Sequence, residues 1–133
     1  TFEETAMSLV KKIHHVAYRC KDARETVEWY QKYLGMRFIL AIAENEVPST
    51  REPDPYMHIF LDAGQGNILA FFELPTQAPM GRDLNTPAWV QHIAFRVKDR
   101  AELLQFKRST RSFSSTRTGT ASSWPAPTLR NRR

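Results

Sequence analysis

Two histidines hold the same place in two copies of one short stretch. Ile13–Trp29 reads IHHVAYRCKDARETVEW, and 77 positions later Val90–Phe106 reads VQHIAFRVKDRAELLQF. His15 aligns with His92, Ala17 with Ala94, Arg19 with Arg96, and Lys21-Asp22 with Lys98-Asp99. The replacements are conservative: Val16 for Ile93, Tyr18 for Phe95, Trp29 for Phe106. Two equivalent imidazoles brought together by pseudo-symmetry are the start of a site for a divalent metal, and neutral imidazole suits Fe(II), Mn(II) or Zn(II). A third histidine, His58, lies in YMHIF and is a candidate acid–base or substrate-contacting group. No phosphate-cradling glycine loop, serine nucleophile elbow or zinc-finger spacing accompanies them.

The elements that must position these residues follow from the repeat, which implies two copies of one supersecondary unit. Ile13–Cys20 alternates as a strand, with Ile13, His15, Ala17 and Arg19 on one face and His14, Val16, Tyr18 and Cys20 on the other. His14 is thus expected to pack or face solvent, away from His15, and Cys20 to be a core residue. Asp22 is the expected N-cap of a helix, with Glu25 three positions on, and Gly35 its terminator. Met36–Ala43 reads as a strand, the three-proline stretch Glu44–Pro55 as a loop, and Tyr56–Asp62 as a third strand. Gly64-Gln65-Gly66-Asn67 predicts a turn before a fourth strand at Ile68–Leu74. The breaker-rich Pro75–Pro87 leads to a second strand–helix copy starting at Trp89, with Asp99 as N-cap and Glu102 three later.

The fold class is therefore α+β: paired βαβββ modules, the second truncated or diverged after its first helix. Residues 1–106 form the expected domain, with module one at 12–75, a linker at 76–88 and the start of module two at 89–106. Thr1–Val10 reads as a short amphipathic arm or a frayed start. After Phe106 the repeat stops: YQKYLGMRFIL of the first copy is answered by KRSTRSFSSTR, which has no apolar period. Residues 107–133 are expected to be a disordered, basic, low-complexity tail, and a break in mid-helix favours a change of reading frame over a native basic tail.

Charge divides along the same line. The chain carries 19 basic and 14 acidic residues. The tail holds seven of the basic ones and no acid, leaving a mildly acidic body. A basic tail on such a body argues against a nucleic-acid-binding surface. The apolar runs are far too short to span a bilayer. One cysteine and no charged-then-apolar leader at the start of the sequence fit the cytoplasm.

Paired βαβββ units, with the phrases HHVAYRCKD, VEWYQKYLGM and VQHIAFRVKD, resemble the vicinal oxygen chelate superfamily of glyoxalases, bleomycin-resistance proteins and extradiol dioxygenases. VPST, YMHIFLDAG, ILAFFELP and MGRDLNTPAWVQH look most like its dioxygenase branch. The resemblance covers about residues 12–106. It implies a cup to which each unit gives one first-strand and one last-strand residue, with His15 and His92 at the first-strand positions. Ala70 falls at the last-strand position of the first unit, where metal-binding glyoxalases carry a carboxylate, and Glu73 is in the opposite strand phase. The implied third ligand is a Glu on the last strand of the second unit, which this sequence lacks.

The leading expectation is an extradiol-type ring-cleaving dioxygenase using Fe(II), with Mn(II) or Zn(II) as alternatives, on a small catecholic or vicinal-oxygen substrate. A glyoxalase-like lyase or isomerase is a second enzyme reading. A non-catalytic small-molecule binder of the bleomycin-resistance type belongs to another class. Arg19 and Arg96 share the histidines' face and could orient an anionic substrate. Unpaired strand edges in a half-closed second unit make a homodimer plausible.

Overall fold

The computed structural model describes residues 9–81, 83–87, 89–116 and 128–130. Strand β1 (His15–Cys20) leads into helix α1 (Ala23–Leu34), then β2 (Arg37–Glu44), β3 (Tyr56–Asp62) and β4 (Ile68–Glu73). These strands form one sheet in the order β1-β4-β3-β2, with β1 parallel to β4 and the other pairs antiparallel. The expected βαβββ module is present. Its sheet joins His15 to Ile68 and Ala17 to Ala70 in register, across more than fifty residues of chain.

Local chemistry sets the helix ends. Asp22 is extended, and its Oδ1 accepts the Glu25 amide at 2.8 Å, satisfying one of the donors a helix start leaves open. Gly35 ends α1 at φ 62°, its amide donating to the Gln31 carbonyl at 3.1 Å. A Cβ on Gly35 would meet nothing within 4 Å, so only the left-handed backbone demands glycine there. Gly35→Ala is expected to cost about 1 kcal/mol of stability, read as a lower urea midpoint. An unchanged midpoint would mean that α1 ends without help from this residue.

α1 covers one face of the sheet. Cys20, Ile59, Leu61, Leu69 and Phe71 are buried there with Ala23 and Met36, and Tyr18, Val27, Tyr30 and Leu34 pack around them. Burying each large apolar side chain is worth about 1.5–3 kcal/mol, so this layer holds most of the fold's driving force. The opposite face carries the histidines.

The second copy begins as a smaller unit. Strand β5 (Ala94–Arg96) is followed by helix α2 (Arg100–Thr116), and a further strand, β6 (Thr128–Arg130), pairs parallel with β5. Ile93 and Phe95 pack on the core of the first module, as Tyr18 and Cys20 do. The α2 start repeats the α1 start: Asp99 Oδ1 accepts the Glu102 amide at 2.9 Å, and Glu102 Oε2 accepts the Lys98 amide at 2.8 Å.

Three expectations need correction. The second copy's strand starts at Ala94 rather than Trp89, which leaves His92 just outside it. The tail expected to be disordered from residue 107 begins as helix, since α2 runs to Thr116. Residues 107–116 contain neither glycine nor proline, and Ser109 and Thr110 hydroxyls donate back to the Gln105 and Phe106 carbonyls, so the backbone continues without an apolar face. The tail also supplies β6, where no strand was expected. Residues 1–8, 117–127 and 131–133, which hold most of the expected arm and much of the tail, lie outside the described residues.

Candidate functional site

Strand alternation places His15 and Arg19 of β1, Ala70 and Phe72 of β4, and His58 and Phe60 of β3 on the face away from α1. The ladder sets them side by side: Ala17 opposite Ala70, Arg19 opposite Phe72, His58 opposite Phe72, Phe60 opposite Ala70. The aromatic members form a row. Tyr56 meets Phe72 edge-on with ring centres 5.4 Å apart, Phe72 stacks on His58 at 3.6 Å, His58 lies 4.2 Å from Phe60, and Phe60 meets His15 edge-on at 5.6 Å. The His15 and His58 ring centres are 6.3 Å apart. Two of the three candidate residues are thus brought together.

His58 is the unusual member. Its Nε2 is buried and, among the described residues, has no hydrogen-bond partner. Burial, and secondarily the neighbouring His15, holds the imidazole below the ordinary histidine range, so it is a neutral base. A buried polar atom left without a partner costs free energy comparable to a lost hydrogen bond. Phe72, stacked on the ring, and Phe60, tilted against it, pack the ring in that position.

His15 has a partner that its strand phase did not suggest. His14 Nδ1 lies 2.8 Å from His15 Nδ1, so one of the two nitrogens carries the proton between them. His14 stands just before β1, where the pleat does not yet force neighbours apart; it is exposed, as expected, and adds this contact to His15. The adjacency of two histidines was the only signal in the sequence.

His92 sits apart. It is exposed, and its Nδ1 lies 2.9 Å from the Val90 carbonyl oxygen, which only a protonated Nδ1 can satisfy. Because Ile93 and Phe95 turn to the core, His92 and Ala94 point away from it, in the phase of His15 and Ala17. Among the described residues no ring contact joins His92 to His15 or His58, and no three His, Cys, Asp or Glu side chains cluster as a metal group.

Two carboxylate questions are settled by register. Glu73 faces the helix, its Oε2 accepting the Ala23 amide at 3.4 Å, so it stays off the histidine face. β6 lies against β5 as β4 lies against β1: Thr128 is opposite Ala94 where Ala70 is opposite Ala17.

Arg19 does something the sequence did not indicate. Its Nη2 donates to the Ala78 carbonyl at 2.6 Å and ties the connector to the sheet. Asp54 holds the same connector, accepting from Thr76 Oγ1 at 3.2 Å and Gln77 Nε2 at 3.0 Å. Arg96 is exposed on β5. Cys20 is buried on the helix face, and burial pushes its thiol up to about 11, with Glu73 and Asp22 adding to the rise. It should react with a thiol reagent at neutral pH only at the unfolding rate; rapid labelling of the native chain would show a thiol accessible from the surface.

No helix among the described residues is long and apolar enough to cross a membrane. The fold is similar to solved structures of a glyoxalase family protein from Enterococcus faecalis (24% identity, TM-score 0.53, covering 76% of this chain and 73% of that one). It is also similar to the fosfomycin resistance protein FosX from Listeria monocytogenes complexed with Mn(II) and sulfate ion (14% identity, TM-score 0.54, 80% and 74%). In sequence the chain is 32% identical over 91 residues to the "Putative ring-cleaving dioxygenase MhqA" of Bacillus subtilis (strain 168). That match takes in 66% of this chain and only 26% of the relative, so the chain spans about a quarter of its length. A family model described as the Glyoxalase/Bleomycin resistance protein/Dioxygenase superfamily matches residues 12–114, and with the βαβββ module and its repeat already in view, the chain belongs to that superfamily.

Proposed function

We propose that this chain is a ring-cleaving-dioxygenase-type module that binds a small planar substrate with vicinal oxygens on its histidine face. The observation that carries the reading is His58: a neutral imidazole stacked on Phe72 and packed against Phe60, with an Nε2 beside His15 that has no partner among the described residues. A catechol hydroxyl would give that nitrogen its missing hydrogen bond and would pass it a proton, while Phe60 and Phe72 keep water from the ring. The similarity to MhqA supports the same substrate class.

The histidines suit a divalent metal in type. A metal-binding imidazole usually donates its other ring N–H to an acceptor that fixes its tautomer. His92 has one in the Val90 carbonyl, and His15 has one in His14 if the shared proton rests on His15. Each would then offer Nε2 to the metal. Fe(II), or Mn(II) or Zn(II) in its place, would supply Lewis acidity and, for iron, redox chemistry. The set is incomplete: among the described residues no cluster joins His92 to His15, and Thr128 stands in register where a carboxylate would.

That shortfall favours a second reading, a non-catalytic binder of the bleomycin-resistance type. A glyoxalase-like lyase is less well supported, because Ala70 stands at the other last-strand position. Anaerobic titration of the purified chain with Fe(II), then Zn(II), is expected to show weak, sub-stoichiometric binding that His15→Ala or His92→Ala abolishes. Tight one-to-one binding that survives both substitutions would sink the assignment. Calorimetric binding of catechol to the metal-free chain, without ring cleavage on adding Fe(II), would select the binder.

A further inference from the structure

β2 lies at one edge of the sheet, yet its sequence is that of an interior strand. Phe38-Ile39-Leu40-Ala41-Ile42-Ala43 is a run of six apolar residues, the pattern of a strand buried on both faces. The other edge, β1, carries two polar residues within HVAYRC and lacks such a run. All eight β2 residues are exposed, with Phe38 at 38% and Leu40 and Ile42 at 42%. Among the described residues its backbone makes no hydrogen bond beyond the ladder with β3. An edge strand of this length normally carries a lysine or proline to deter pairing, and the interior of β2 has neither. Beside it, a groove of about 490 Å³ lies between α1 and β2, lined in part by Val27, Phe38, Ala41 and Met57.

We infer that β2 is the interface for a second copy of this chain, the two β2 strands pairing antiparallel about a two-fold axis to join both sheets into one. Charge singles out a second copy over an unrelated strand. The apolar run is bracketed by Arg37 and Glu44, so antiparallel self-pairing sets Arg37 of each copy beside Glu44 of the other, at both ends. For that, the two side chains must share a face. In a regular strand residues seven apart point to opposite faces, but the register shift between Phe38 and Leu40 restores the phase: Arg37 is opposite Asp62 and Glu44 opposite Tyr56, both on one face of β3. Arg37 Nη2 already donates to Asp62 Oδ2 at 3.0 Å, which holds the guanidinium at the sheet edge with other donors to spare. The apolar residues meet their own kind across the axis, and Phe38 of each copy lies next to the groove. The interface uses none of His15, His58 and His92, so its test does not depend on the proposed activity.

Sedimentation equilibrium of the full chain is expected to give the dimer mass. Leu40→Lys should return it to monomer with an unchanged far-UV circular dichroism spectrum. Arg37→Glu and Glu44→Arg alone should each weaken the dimer by about tenfold, since two like-charge contacts replace two ion pairs, and the double variant should regain most of the loss. If Leu40→Lys fails to fold, the three charge variants decide the matter, because both positions are exposed. A monomer at concentrations up to about 100 μM, open-ended higher oligomers, or a dimer indifferent to all three charge variants would overturn the proposal.

Discussion

Leu61→Ala is expected to lower the free energy of unfolding by about 2–5 kcal/mol, the range for truncating a large aliphatic side chain in a packed core. Leu61 is 0% exposed, the largest side chain among the described residues to be so enclosed. On β3 it stands opposite Leu69 of β4 on one side and Phe38 of β2 on the other. The α1 layer closes over it. β-strands held from both sides cannot collapse into the gap, so the cavity cost adds to the lost transfer energy. Single domains are stable by only about 5–15 kcal/mol, and one truncation here would remove a large share of that. Leu84, 87% exposed, is the control: Leu84→Ala should shift the urea midpoint very little. Equal effects at both sites would mean that the α1-facing layer is not the core of the protein in solution.

His58→Phe is expected to leave the fold as stable or to make it more stable, while weakening binding of a catecholic ligand by about tenfold or more. In the folded chain His58 keeps a buried nitrogen without a partner among the described residues, at a cost of about 1–3 kcal/mol. Phenylalanine is of similar shape and would continue the stacked row from Phe72 to Phe60 without that cost. A residue kept for packing would not behave in this way. The pH dependence gives a second readout. The folded imidazole is held below its unfolded value, so the unfolded chain binds the proton more readily. Stability from this group is complete above the ordinary histidine range, near pH 6.5, and is lost as pH falls through that range toward the lower folded value. In metal-free protein the unfolding midpoint should rise with pH across that window, and His58→Phe should flatten the rise. Loss of stability without loss of ligand binding in His58→Phe would end the acid–base reading.

Much of the first module was legible because its signals are local. Asp22 with Glu25, and Gly35 after Leu34, mark α1 because caps answer to the unpaired amides and carbonyls of the helix itself. Strand phase told which residues of Ile13–Cys20 and Ile68–Leu74 share a face, and so it placed His15 with Ala70 and set Glu73 on the far side. The second copy was less legible. Helix α2 continues past Phe106 because nothing local stops it, although the apolar period that would have announced it is missing. β6 is three residues long, and a parallel pairing with β5 leaves no turn signal in the sequence.

The sequence by itself determined the repeat, the βαβββ order, the family's fold and the phase of every candidate side chain, since periodicity and capping are properties of neighbouring residues. Tertiary structure alone decided what those side chains meet. The stacking of His58 on Phe72 depends on a ladder that joins β3 to β4. The place of Glu73 at the start of α1 and the tie from Arg19 to Ala78 join residues fifty or more positions apart. The exposure of β2 follows from its being an edge, which its own apolar sequence denies. Each of these depends on distance in space between residues far apart in the chain, and burial, which pushes one titration down at His58 and another up at Cys20, comes only when the chain closes on itself.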